Sequence, residues 1–248
     1  MSEPLIRVVD LTIGWGDTIL QKDANFEIER GDIFIVLGGS GCGKSTMMRY
    51  LVGLETPLSG QVIHHDLVQA QLGRGRPEFG VMFQSGALLG SLTVGENVAL
   101  PLSAWTELPE EAIDAIVEAK LRLVGLQGTE KKMPSELSGG MKKRAAIARA
   151  MALEPELIFL DEPSAGLDPV TAAELDDLIL SLNERMGLKV IMVTHDLDSI
   201  FKVGKRCIML DRATQSIIAR GDPRELRDQS DDPRVRSFFN RTPLGSSS

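Results

Sequence analysis

The stretch Gly38-Gly39-Ser40-Gly41-Cys42-Gly43-Lys44-Ser45 leaves this chain few folds to choose from. It fits the pattern G-x-x-x-x-G-K-[ST]. Before it runs Ile33-Phe34-Ile35-Val36-Leu37, a continuous apolar segment typical of a strand buried on both faces of a parallel sheet. After it, the pattern predicts a helix from Lys44 to about Leu54. Strand, glycine loop and helix together form the context in which this motif cradles phosphate. Glycines let backbone N–H groups turn inward onto phosphate oxygens, and a helix N-terminus adds partial positive charge. In this reading Gly38, Gly39, Ser40, Gly41, Cys42, Gly43 and Thr46 wrap a nucleotide. Lys44 sets a full charge on the β/γ-phosphates, and the Ser45 hydroxyl reaches Mg²⁺.

The surrounding pattern agrees with an α/β core. Leu5–Ile13 and Ala24–Ile28, separated by the turn Gly14-Trp15-Gly16-Asp17, read as antiparallel strands. Helical spacing marks Glu110 to about Val124, Ser138 to about Ala152, and Ala172–Met186 closed by Gly187. Leu157–Leu160 and Lys189–Val193 read as buried strands, and Cys207–Leu210 with Ser216–Ala219 as a terminal hairpin. Strands alternating with helices argue for a mostly parallel, doubly wound sheet. The helices between about Gly95 and Ala152 interrupt that alternation and predict a helical insertion.

Leu157-Ile158-Phe159-Leu160-Asp161-Glu162 ends an apolar strand on two carboxylates. Asp161 is placed to hold the Mg²⁺ shell, and Glu162 to accept a proton from an attacking water. The plainer alternative is a surface Asp-Glu turn before Pro163. P-loop chains differ in what accompanies these two motifs. No Asn-Lys-x-Asp element for guanine is present, which weakens a GTPase reading.

What is present is Leu137-Ser138-Gly139-Gly140-Met141, upstream of the carboxylate strand. With it, the chain resembles the ABC ATPases, whose signature is similar to Leu-Ser-Gly-Gly-Gln. The resemblance covers about residues 4–240 as a single ABC ATPase domain, with a helical subdomain at about 95–152 and a loose tail at 241–248. It implies a P-loop NTPase core with an N-terminal antiparallel β subdomain. It implies ATP and Mg²⁺ as cofactors and a second copy of the chain as partner, each site pairing one P-loop with the Ser138, Gly139 and Gly140 of the other copy. Ser138 serves equally as an ordinary helix cap. Gln84, after Val81-Met82-Phe83, resembles the glutamine that touches Mg²⁺ or the lytic water. Ser164-Ala165-Gly166-Leu167-Asp168 resembles the loop that crosses the dimer interface. His195 resembles the histidine that contacts the γ-phosphate. Trp15, about thirty residues before Lys44, stands where the family carries an aromatic that stacks on adenine, a core tryptophan being the alternative.

Three stretches narrow the resemblance: Phe83–Val98, Met133–Met141 and Asp232–Phe239. Together they look like the ATPase of the Mla/MCE lipid-transport systems, which implies integral-membrane permease subunits and an MCE-domain lipid-binding protein as partners. It also implies a place on the cytoplasmic face of the bacterial inner membrane, held there through the permease. Met141 in place of glutamine agrees with that subgroup. The apolar loop Ser85–Leu92 either receives a permease helix or packs locally. Phe238 and Phe239 either anchor on the neighbouring subunit or dock on their own domain. The charged stretch Arg224–Arg236 reads as a solvated linker. An amino-acid importer ATPase has the same catalytic residues, and a non-transport ABC ATPase is a further alternative.

Composition sets outer limits. With 248 residues, 43% of them hydrophobic, the chain has material for a sizeable core. A net charge of −8 argues against a general nucleic-acid binder. The two cysteines, Cys42 and Cys207, lie far apart and point to a reducing compartment. The opening Met1-Ser2-Glu3-Pro4 lacks a signal-peptide pattern, and no apolar run approaches the roughly 20 residues that span a bilayer.

Overall fold

Two residues, Gly16 and Asp17, separate the first two strands, β1 (Ile6–Trp15) and β2 (Thr18–Ile28). Trp15 pairs directly with Thr18, so the hairpin turn is tight and β2 starts well before the expected Ala24. A computed structural model describes residues 3–31, 33–65 and 77–242 of the chain. The expected tail beyond Thr242, and the Met1-Ser2 opening, lie outside the described residues.

In chain order there follow β3 (Ile33–Gly38), α1 (Lys44–Leu51), β4 (Ser59–His64), β5 (Phe79–Met82), α2 (Val94–Trp105), α3 (Glu110–Leu123) and α4 (Gly139–Ala150). Then come β6 (Leu157–Asp161), α5 (Pro169–Met186), β7 (Lys189–Val193), α6 (Leu197–Val203), β8 (Arg206–Asp211), β9 (Ser216–Gly221), α7 (Pro223–Gln229) and α8 (Pro233–Asn240). The chain divides into two compact units, residues 1–73 with 191–248, and residues 74–190.

In the first unit, β2, β1 and β4 make an antiparallel sheet in that order. β3 pairs in parallel with β8, and β8 pairs antiparallel with β9. All six residues of β3 are buried, as its unbroken apolar run predicts. Each large side chain so buried contributes roughly 1.5–3 kcal/mol relative to exposure. Phe26 of β2 stacks on Phe34 of β3 with ring centroids 5.9 Å apart. α1 stops at Leu51, short of the expected Leu54, with Gly53 left-handed just beyond it.

The stretch Arg224–Arg236 departs from expectation. Most of it stays at the surface, but it is helical and not a linker, running through α7 and into α8. Asp222-Pro223 and Asp232-Pro233 each put a capping carboxylate before a proline at the first helical position, two strong start signals in tandem. Arg234 pairs with Asp232 at 2.6 Å and Asp211 at 3.1 Å. Phe239 is buried, 5.6 Å from the ring of Phe201, so this aromatic docks on its own domain. Phe238 stays half-exposed against it.

In the second unit β5 and β6 pair in parallel, and Phe79 meets Phe159 edge to face at 5.3 Å. The five residues of β6 are all buried. α2, α3 and α4 fill the stretch expected to be helical. α2 opens on a capping box between Thr93 and Glu96. α5 starts at Pro169, three residues before the expected Ala172, because Asp168 caps it. The α/β class with a mostly parallel sheet is borne out. Among the described residues no helix is long and apolar enough to cross a membrane.

Candidate active site

In the first unit the glycine loop runs from the end of β3 into α1. Lys44 folds back over it, its Nζ donating to the carbonyls of Gly38 at 3.0 Å and Gly39 at 3.1 Å. Gly43 is the N-cap of α1 and is left-handed, with φ 98°. Lacking a side chain, it offers no oxygen to compete for the first-turn amides. A Cβ placed on Gly39 would meet nothing within 4 Å, so the middle of the loop is open for an anion. The loop is also fixed from behind. Gln21, fully buried on β2, donates to the carbonyls of Cys42 at 2.9 Å and Asp211 at 3.0 Å.

Trp15 sits at the tip of the β1–β2 hairpin and is half exposed. The hairpin is held beside the glycine loop, because Tyr50 of α1 donates its hydroxyl to the Gly14 carbonyl at 2.9 Å. Leu20 of β2 lies against Gly43 on the same side. Trp15 is therefore an exposed aromatic beside the loop, not a core tryptophan. His195 follows β7 and is exposed. The residue before it, Thr194, donates its N–H to Val36 of β3 at 3.3 Å, and its hydroxyl accepts from the Asp196 amide at 3.1 Å.

In the second unit Gln84 follows β5 and is exposed, while Asp161 and Glu162 close β6 with 6% and 7% of their surface accessible. Glu162 adopts φ 48°, an uncommon conformation for a glutamate and of the kind that collects at functional sites. Ser138 caps α4, its Oγ accepting from the Met141 amide at 3.3 Å. A Cβ on Gly140 would come within 2.4 Å of the Thr171 methyl, and one on Gly139 within 3.3 Å of Leu167. Asp168 is committed to α5: its carboxylate accepts from the amides of Val170 and Thr171 and from the Thr171 hydroxyl at 2.6 Å. Those bonds hold its pKa below the ordinary value, the Thr171 hydroxyl first.

Sequence reasoning missed three residues of this unit. Lys143 of α4 is buried, and its Nζ donates to the Gln84 carbonyl at 2.5 Å and the Glu162 carbonyl at 3.2 Å. Burial pushes its pKa down, and the negative charge of Asp161 and Glu162 opposes that shift. Arg149 donates to the carbonyls of Gly86 and Ala87 at 2.8 and 2.7 Å. Asn97 of α2 accepts from the Leu89 amide and donates to the carbonyls of Leu89, Leu92 and Thr93. The loop 85–92 is thus pinned at both ends while Leu89 stays 48% exposed. One signal was available for Lys143. It shares a helix face with Ala146, Ile147 and Ala150, at offsets of three, four and seven, and all three are buried.

Among the described residues no cluster of three or more His, Cys, Asp or Glu could hold a metal ion unaided. The expected donors are one hydroxyl (Ser45), one amide (Gln84) and one carboxylate (Asp161). Such a set fits magnesium, which keeps waters and takes substrate phosphates as ligands.

Comparison with known proteins narrows the chemistry. Residues 21–165 match the family described as ABC transporter. The chain is 39% identical over 244 residues to the intermembrane phospholipid transport system ATP-binding protein MlaF of Haemophilus influenzae, covering 96% of this chain and 91% of that one. It is 40% identical over 245 residues to the probable ribonucleotide transport ATP-binding protein mkl of Mycobacterium leprae, covering 97% of this chain and 70% of that one. Its structure is similar to the ATP-binding cassette MJ0796 solved as a post-hydrolysis dimer bound to ADP and Pi, with a TM-score of 0.77, 30% identity, and coverage of 88% and 98%.

Proposed function

The chain belongs to the ABC transporter family of ATP hydrolases, and from that premise we propose that it powers the movement of phospholipid between two membranes. The observation that carries this reading is the near end-to-end match to the MlaF protein. The chain spans 91% of that relative and 70% of mkl. The name of mkl supplies the second reading, transport of ribonucleotides, at similar identity.

The proposed division of labour follows from chemistry. The amides from Gly38 to Gly43, with Thr46, surround the phosphates, and Lys44 neutralises the β/γ charge. Trp15 offers a π-face to the base, which gives affinity without choosing the base. Ser45, Gln84 and Asp161 would hold Mg²⁺, which when bound spreads the charge of the transferring phosphoryl group. Glu162 accepts the proton of the attacking water. His195 meets the γ-phosphate. Ser138, Gly139 and Gly140 serve the site of a second copy, with Asp168 shaping the loop between copies. Catalysis of this type rests on positioning and preorganised charge.

ATP closes the pair of subunits and hydrolysis reopens it, and work is done only if a permease follows the motion. The pinned loop 85–92, with Leu89 exposed, is the proposed contact for the permease. An MCE-domain protein would receive or deliver the lipid, and the chain would sit on the cytoplasmic face of the inner membrane. The test is co-purification from native membranes in mild detergent, with mass spectrometry of proteins and lipids. A permease, an MCE-domain protein and bound phospholipid are the expected companions. A solute-binding protein without an MCE protein would overturn the lipid assignment and leave the ATPase standing.

A further inference from the structure

We propose that Lys143 is a positioning residue for hydrolysis, a buried ammonium on α4 that sets the backbone of Glu162 and the backbone of Gln84 at fixed distance from each other. Its Nζ lies between two main-chain carbonyls belonging to different loops, at 2.5 Å from Gln84 and 3.2 Å from Glu162. An ammonium has three donors and no acceptor, so it can tie several carbonyls at once. A buried charge of this kind persists only where it is hydrogen-bonded and paired. Here it lies among the negative charges of Asp161 and Glu162.

The location gives the tie its consequence. Glu162 is held in a left-handed conformation immediately after β6, so its carboxylate direction depends on what fixes its peptide. Gln84 heads a loop whose next carbonyls, Gly86 and Ala87, are gripped by Arg149 from the same helix. Ser138, in the signature sequence, caps α4 just before its first residue, Gly139. One helix therefore carries the signature serine at its start, the link between the glutamine loop and the general base one turn in, and the clamp on the glutamine loop near its end. A displacement of the glutamine loop is transmitted to the Glu162 backbone through Lys143.

The proposal rests on the reading of Glu162 as general base, and the test separates the two. The full chain, alone or with its co-purifying partners, is compared as wild type, K143M, K143R, E162Q and K143M/E162Q. ATP turnover is read in steady state and single turnover, nucleotide affinity by TNP-ATP, and folding by melting midpoint. K143M is expected to lose about 10²-fold in kcat, the scale of an ångström-sized misplacement, with KM and TNP-ATP affinity within about twofold. K143R, which keeps the charge and donors, recovers most of the rate. In the double variant the K143M loss largely disappears, because residues acting as a unit are non-additive. Wild-type turnover in K143M, or a K143M loss that multiplies in full onto that of E162Q, overturns the role of Lys143. Wild-type turnover in E162Q instead overturns the general base itself. If K143M does not fold, K143Q, shorter and neutral, takes its place against E162Q and K143Q/E162Q: a wild-type K143Q rate, or a loss that multiplies in full onto E162Q, refutes the proposal, and a loss that does not multiply supports it.

Discussion

Two adjacent glycines of the phosphate loop are predicted to behave very differently when replaced by alanine. Gly38 ends β3, has φ 144°, and pairs in register with Leu210 of β8. A Cβ there would lie 2.3 Å from the Leu210 carbonyl oxygen and 2.8 Å from the Cys42 sulfur. The first obstacle is backbone, so no rotamer change relieves it. Gly39 has no positive φ, and its Cβ would meet nothing within 4 Å. For G38A, backbone strain of about 1–3 kcal/mol adds to a steric term of about 1–3 kcal/mol. The middle of that range is about 4 kcal/mol. At roughly 2–4 °C per kcal/mol for a chain of this size, G38A lowers Tm by roughly 8–16 °C. G39A leaves Tm within about 1 °C, as for a surface change. Thermal unfolding followed by circular dichroism in nucleotide-free buffer reads both. Equal midpoints for G38A and wild type would refute the close approach of β3 and β8, and with it the steric reasoning.

Removing the Asp168 cap in D168A should lower Tm by roughly 2–4 °C at neutral pH. Because its folded pKa lies below the ordinary 3.8, this contribution is present above that value and fades as pH falls through the folded one. The gap between wild type and D168A therefore closes in acid, and a gap that widens below about pH 4 would contradict the cap. Burial, followed by the charge of Asp222, pushes the Cys207 thiol up to about 12, and Cys42 is also buried and raised. Iodoacetamide at pH 8 should label neither in the native chain and both in guanidinium, as read by mass spectrometry. Rapid native labelling of Cys207 would refute its burial.

Much of the architecture was legible because the physics was local. β3 and β6 carry unbroken apolar runs and prove buried throughout, and α5 closes at the left-handed Gly187 as its sequence implies. The phosphate loop announces itself because its path holds Gly38, Gly41 and Gly43 at positive φ, where glycine is favoured. What stayed hidden depended on partners distant in sequence. Whether Phe239 turned inward hinged on Phe201, 38 positions earlier. α7 and α8 were masked by their charge, although each Asp-Pro start was readable; Arg234 reads as linker until Asp211 is placed beside it. Lys143 is the sharpest case. A lysine in a run of basic residues looks like a solvated face, and only the fold reveals that its nitrogen lies against Gln84 and Glu162.

The central claim is that this chain hydrolyses ATP through Glu162. The most direct measurement is ATP turnover of wild type and E162Q side by side, with nucleotide binding measured on the same preparations. The account predicts that E162Q binds ATP as wild type does and loses roughly 10²–10⁴-fold in kcat, the range for a general base. An E162Q variant that turns over ATP at nearly the wild-type rate would contradict it.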